Sequence, residues 1–206
     1  MNYTADFFNL AQQLIDAGRF INQQGWVPAT SGNFSARLAD NTIAITVSGK
    51  HKGHLTTDDI MLIDADAKPL DEKKPSAETL LHTALYKRFP TVQAVLHPHC
   101  MSATLISKLY SDAVILENYE LLKALPGIET HACQIVVPIF ANDQDIARLA
   151  AKVDAYLEQH PNVCAYIIAG HGIYTWGSSV AVTLRYLEAL DFLFECELRL
   201  YRVKQQ

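Results

Sequence analysis

Apolar residues return every three to four positions through residues 5–22, where Phe8, Ala11, Leu14, Ile15 and Ala17 share one helical face before Gly25 stops the run. Short apolar runs bounded by turn residues follow. The stretch VPATSGNFSARL runs from a Pro/Ser/Gly loop into a strand. NTIAITVSGK reads as a second strand, entered through the turn pair Asp40–Asn41, and DIMLID as a short third with ADAKPLDEKKP as an exposed loop behind it. Ser76 with Thr79 opens a helix to about Arg88, VQAVLH is a strand, and residues 101–109 return to helical spacing. HACQIVVPIF is a strand ending at Pro138, and Asp143 caps a helix to about Gln159. VCAYIIAGHGIYTWG is a buried strand leading into a glycine-flanked loop, and Ser178 or Ser179 caps a last helix to about Val203. Several strands adjoin in sequence with no helix between them. That favours an α/β fold with a mixed or antiparallel sheet and helices on its faces over a strict βαβ repeat.

The 206 residues suffice for one domain, 1–206, with a sizeable core, and no repeat or long linker divides them. Half the residues are apolar and the net charge is −5, which gives no sign of a nucleic-acid partner or a membrane patch. The N-terminal stretch lacks a basic n-region and a continuous apolar core, so no signal peptide is expected. No run approaches the length of a membrane span. Cys100, Cys133, Cys164 and Cys196 are far apart and form no CxxC, as expected of reduced, mostly buried thiols in a cytoplasmic protein.

The chemistry begins at AVLHPHC, residues 94–100. Residues two apart in a strand project to one face, so His97 and His99 converge while Pro98 keeps the chain extended. Two neutral imidazoles can share a divalent ion, most commonly zinc, and a catalytic zinc requires a third ligand. His171 in IIAGHGIYTWG is the candidate, because it too ends an apolar strand and stands between Gly170 and Gly172. His51, His54, His82, His131 and His160 read as structural or solvated. Two Ser-Gly boundaries, Ser31-Gly32-Asn33 and Ser48-Gly49-Lys50, offer exposed backbone N–H groups, hydroxyls and one cation to a phosphate. Ser76, at a helix start, adds a hydroxyl or serves as a cap.

The ordered set SGN (31–33), SG (48–49), PSAE (75–78), HPH (97–99) and GHG (170–172) resembles the class II aldolase and adducin family over nearly the whole chain. SGKHKGHLTTDDIMLID and ENYELLKALPG (117–127) bring the resemblance to its methylthioribulose-1-phosphate dehydratase branch. The resemblance implies a three-layer α/β/α fold with a mixed, largely antiparallel central sheet, in a homotetramer with sites near subunit interfaces. It implies one Zn²⁺ per chain on His97, His99 and His171, a sugar-phosphate substrate, and a phosphate pocket from Ser31, Gly32, Asn33, Ser48 and Gly49. It assigns proton transfer to Glu120 in the dehydratase branch and to Glu78 in the aldolases, with Glu120 favoured here. A first-turn helix charge for Glu78 and a solvated carboxylate for Glu120 are the structural alternatives. The rival activities are a ketose-phosphate aldolase or epimerase, and a non-catalytic adducin-like binding module, against which the intact histidine triad counts.

Overall fold

A computed structural model describes residues 3–205. The first helix, α1 (Ala5–Gln23), starts at Thr4, whose hydroxyl accepts the Phe7 amide at 3.2 Å and so partners an N–H that a helix start leaves bare. It buries Phe7, Ala11, Leu14, Ile15 and Ala17 but leaves Phe8 51% exposed. At 100° per residue Phe7 lies within about 20° of Leu14 around the helix and Phe8 about 120° away, so Phe7 leads the buried stripe in place of Phe8.

Eight strands form one sheet: β1 (Asn33–Arg37), β2 (Ile43–Thr46), β3 (Ile60–Ile63), β4 (Ala94–His97), β5 (Ala113–Glu117), β6 (Gln134–Phe140), β7 (Ala165–Ile168) and β8 (Gly172–Gly177). Their order is β3-β2-β1-β4-β8-β7-β6-β5. Every neighbouring pair is antiparallel except β6–β7. Helices α1, α3 (Met101–Leu109) and α5 (Val180–Lys204) cover one face, and α2 (Thr79–Arg88) with α4 (Ile146–Gln159) covers the other. This is the expected α/β/α sandwich. Each face takes alternate residues: Phe34, Ala36, Ala44, Ala94 and Leu96 pack under α1 and α5, while Ile43, Ile45 and Val95 pack under α2 and α4.

Two strands are absent from the sequence reading. β8 falls in the stretch read as a glycine-flanked loop, yet all six of its residues are buried between β4 and β7. β5, AVILE in sequence, is an edge strand that buries Val114 and Leu116 and turns Ile115 and Glu117 to solvent. β6 continues beyond Pro138, which stands opposite Ala113, and Ile139 resumes the ladder by donating to the Asp112 carbonyl at 2.8 Å. The cap of α4 is Asp145, which accepts the Arg148 amide at 3.0 Å, while Asp143 pairs with the Arg148 guanidinium at 2.6 Å. Ser179 is the cap of α5.

Strand direction places the chemistry. His97 ends β4, Asn33 begins β1, and the turn Gly170–His171 joins β7 to β8, so all of these lie at one end of the sheet.

Candidate metal centre and substrate pocket

His97 is fully buried, and its Nδ1 lies 2.9 Å from the Ile173 carbonyl. A carbonyl only accepts, so Nδ1 carries the hydrogen and Nε2 presents a bare lone pair. That nitrogen lies 3.1 Å from His99 Nε2 and 3.3 Å from Glu78 Oε2. His171 Nε2 lies 3.1 Å from Glu78 Oε1. One donor atom from each of Glu78, His97, His99 and His171 falls within 4.8 Å of the others. The Tyr174 ring stacks on the His97 ring at 3.9 Å and fixes its plane.

Glycine makes this convergence possible. A Cβ on Gly172 would sit 2.4 Å from the Pro98 carbonyl oxygen and 3.1 Å from the His97 and His99 rings, so only glycine lets β8 approach the His-Pro-His turn. Gly32 holds φ +75°, and a Cβ there would meet the His97 carbonyl at 2.6 Å.

Burial, with the neighbouring imidazoles, pushes His99 down to about 3, and burial likewise lowers His171, so both stay neutral. Burial alone would raise the Glu78 carboxyl. The Asn33 amide, donating to Glu78 Oε2 at 2.6 Å, acts the other way and favours the ionised form. Three imidazoles and a carboxylate whose donor atoms converge fit a catalytic divalent metal.

Beside this cluster lies a cavity of about 390 Å³. Of the residues expected to hold phosphate, Gly32, Asn33, Ser48, Gly49 and Ser76 line it, with Glu78, His99 and His171. Ser31 adjoins them with its Oγ buried and unpartnered. Lys50 does not line the cavity; its ammonium pairs with Asp59 at 2.9 Å and is half exposed. Lys52 takes its place, a residue the sequence reading missed although it stands two positions further on. Only 1% exposed, it donates to the Thr30 carbonyl at 3.1 Å and to the Lys50 carbonyl at 2.6 Å, tying the two Ser-Gly loops together. Thr30, Thr46, Asn142 and Gln144 also line the cavity without having been singled out.

The two glutamates part company. Glu78, the N-cap residue of α2 rather than a residue of a first turn opened by Ser76, stands within the cluster. Glu120 opens the 3₁₀ turn Glu120–Ala124 after β5, whose last residue Glu117 pairs with Gln134 at the start of β6. Because β6 runs toward the metal end, Glu120 lies at the opposite end of the sheet. Its carboxylate is 70% exposed and pairs with Lys123 and, at 3.6 Å, with His131. The expectation that Glu120 shares the metal's cavity is therefore not met within one chain. Of the other histidines, His51 accepts the Gly53 amide at 3.2 Å, and His82 is fully buried in a polar row behind Glu78.

The sequence profile described as "Class II Aldolase and Adducin N-terminal domain" matches residues 12–198. A methylthioribulose-1-phosphate dehydratase of Methylococcus capsulatus is 63% identical over 203 residues, 98% of this chain and 100% of that protein. Its counterpart in Pseudomonas fluorescens is 55% identical over 192 residues, 92% of each. Among solved structures, an L-fuculose 1-phosphate aldolase superposes with a TM-score of 0.81 at 19% identity, covering 98% of this chain and 89% of that one. The L-fuculose-1-phosphate aldolase of Thermus thermophilus gives 0.76 at 23% identity, covering 97% and 98%. At such identities these two structures speak for the fold alone.

Proposed function

The chain belongs to the class II aldolase and adducin family, and from that premise we propose that it is a zinc-dependent hydro-lyase converting 5-methylthioribulose 1-phosphate to 2,3-diketo-5-methylthiopentyl 1-phosphate, a step of methionine salvage. The observation that carries the proposal is the convergence of Glu78, His97, His99 and His171 at the mouth of a Ser/Gly-lined cavity. Nearly full-length identity to proteins named for this reaction directs the choice among family activities.

His97, His99 and His171 would hold the metal. When bound, zinc supplies Lewis-acid stabilisation of the negative charge that develops next to the substrate's C2 carbonyl. The phosphate is seated by the Ser31–Asn33 and Ser48–Gly49 loops with Ser76, and Lys52 offers its remaining N–H as the cation. A glutamate removes the proton from C3, and the C3–H electrons form the C3–C4 double bond as the C4 hydroxyl leaves. Returned to that hydroxyl, the same proton makes the leaving group water. The enol left at C3 tautomerises to the second ketone.

Glu120 takes the proton-transfer role by resemblance. Its place at the far end of its own sheet means that it can serve only a site on a second copy, in keeping with a homotetramer whose sites lie near interfaces. Glu78 is the carboxylate that each chain supplies to its own site. Free thiols at all four cysteines accord with a cytoplasmic setting, and among the described residues no helix is long and apolar enough to cross a membrane.

The test is to supply 5-methylthioribulose 1-phosphate and a panel of ketose phosphates to the zinc-loaded protein and identify products by NMR. Loss of water from the first substrate alone supports the proposal. Cleavage between C3 and C4 of a ketose phosphate, or no turnover of any, overturns it.

A further inference from the structure

We propose that His82, Ser35 and Tyr86 are positioning residues that hold the Glu78 carboxylate in place through a one-way chain of hydrogen bonds from the core. The proposal rests on reading Glu78 with His97, His99 and His171 as the metal centre. Glu78, His82 and Tyr86 recur every four residues from the cap of α2, and Asn33, Ser35 and Arg37 every two along β1. Four helical residues rise about 6 Å and two strand residues about 6.6 Å, so the two rows stay in step and interdigitate.

The contacts alternate between the rows. The Asn33 amide meets Glu78, His82 lies between Asn33 and Ser35, and Ser35 lies between His82 and Tyr86. Arg37 closes the row, its guanidinium 4.8 Å above the Tyr86 ring and donating to the Tyr86 carbonyl at 2.8 Å.

Donor and acceptor chemistry gives every link one direction. A carboxylate only accepts, so Asn33 Nδ2 donates to Glu78 Oε2 at 2.6 Å. Asn33 Oδ1 only accepts, so His82 Nε2 carries the hydrogen that bonds it. Burial drives His82 down to about 3, the ring is neutral, and Nδ1 is left as an acceptor. Ser35 donates to Nδ1 at 2.7 Å, and with that hydrogen committed its oxygen receives the Tyr86 hydroxyl at 2.8 Å. Each hydrogen points toward Glu78, an alignment in which successive bonds polarise one another. Ser35 and His82 are fully buried, Asn33 4% and Tyr86 5% exposed, so water does not compete for these groups. Packing alone would be met by apolar residues of the same size, without five polar groups in register.

Two measurements test the proposal. The first is a long-range ¹⁵N–¹H correlation spectrum of the zinc-loaded protein, in which His82 is expected to show a protonated Nε2 and a bare Nδ1 from pH 5 to pH 8. The opposite tautomer, or an imidazolium, overturns the chain. The second compares Ser35→Ala, Ser35→Thr and Tyr86→Phe for zinc content, kcat and KM with 5-methylthioribulose 1-phosphate. Ser35→Ala is expected to lower kcat about 10-fold with KM and zinc content unchanged. Tyr86→Phe is expected to lower it less, and Ser35→Thr, which keeps the hydroxyl, to restore it. Wild-type kcat in Ser35→Ala, equal loss in Ser35→Thr, or activity lost only in step with zinc each overturns the positioning role. Should the wild-type protein not dehydrate this substrate, the proposed reaction falls while the tautomer still decides the chain.

Discussion

Asn33 at the start of β1 stands directly opposite His97 at the end of β4 in the antiparallel ladder. Residues so paired project to the same face of a sheet, here the face covered by α2. Glu78 at the cap of α2 then lies between them, 2.6 Å from the Asn33 amide and 3.3 Å from His97 Nε2. One register pairing thus brings a Ser-Gly loop, the His-Pro-His turn and the helix start to a single point.

The metal centre is expected to hold about one zinc per chain in protein purified without chelator. The double variant His97→Ala, His99→Ala is expected to hold almost none while remaining folded. Elemental analysis checks both, and full zinc content in the double variant would remove the histidines as ligands.

Gly172→Ala should loosen metal binding without touching a ligand. The new methyl would overlap the Pro98 carbonyl oxygen, 2.4 Å away, and force β8 from the His-Pro-His turn. Zinc affinity is expected to fall about 10-fold or more, read by competition with a chromogenic chelator. Unchanged affinity would show that the turn accommodates the methyl.

Lys52 carries a pH dependence. Burial pulls its ammonium down to about 8. Below about pH 8 the charge is present and can hold a phosphate; as pH rises through that value the charge is lost. KM for the phosphorylated substrate is therefore expected to climb above about pH 8. Lys52→Met should raise KM about 10–100-fold at pH 7, the range for a lost hydrogen bond to a charged group, and abolish the climb. A flat KM profile in the wild-type protein would separate Lys52 from the phosphate.

Glu120→Gln is expected to lower kcat by about 10²–10⁴-fold, the contribution of a positioned acid/base, with zinc content intact. Because Glu120 and the histidines of one chain lie at opposite ends of the sheet, co-assembling this variant with the metal-free His97→Ala, His99→Ala chain should rebuild active sites from one partner's zinc and the other's glutamate. No recovered activity in purified mixed assemblies would refute service in trans.

Much of the fold was legible in the sequence because local rules operate over short spans. Short apolar runs bounded by turn residues marked β1–β4, β6 and β7, period-3.6 runs marked the helices, and strands adjoining without helices between them called for a mixed or antiparallel sheet. His97 and His99 could be paired from spacing alone, since strand geometry sends alternate side chains to one face. β8 was hidden because Gly170, Gly172 and Gly177 flank and bound it, so the stretch read as a loop. The tertiary structure decided what sequence distance conceals. That Lys52 and not Lys50 lines the cavity shows only in the fold, where Asp59 pairs with the Lys50 ammonium. His82, read as one more structural histidine, proved to be the middle of a buried row, because α2 and β1 lie side by side with nearly equal steps. Glu78 and Glu120, both plausible in sequence, were separated by the direction of β5 against β6: an antiparallel return carries Glu120 away from the metal end, and no local pattern records which way a strand runs in the finished sheet.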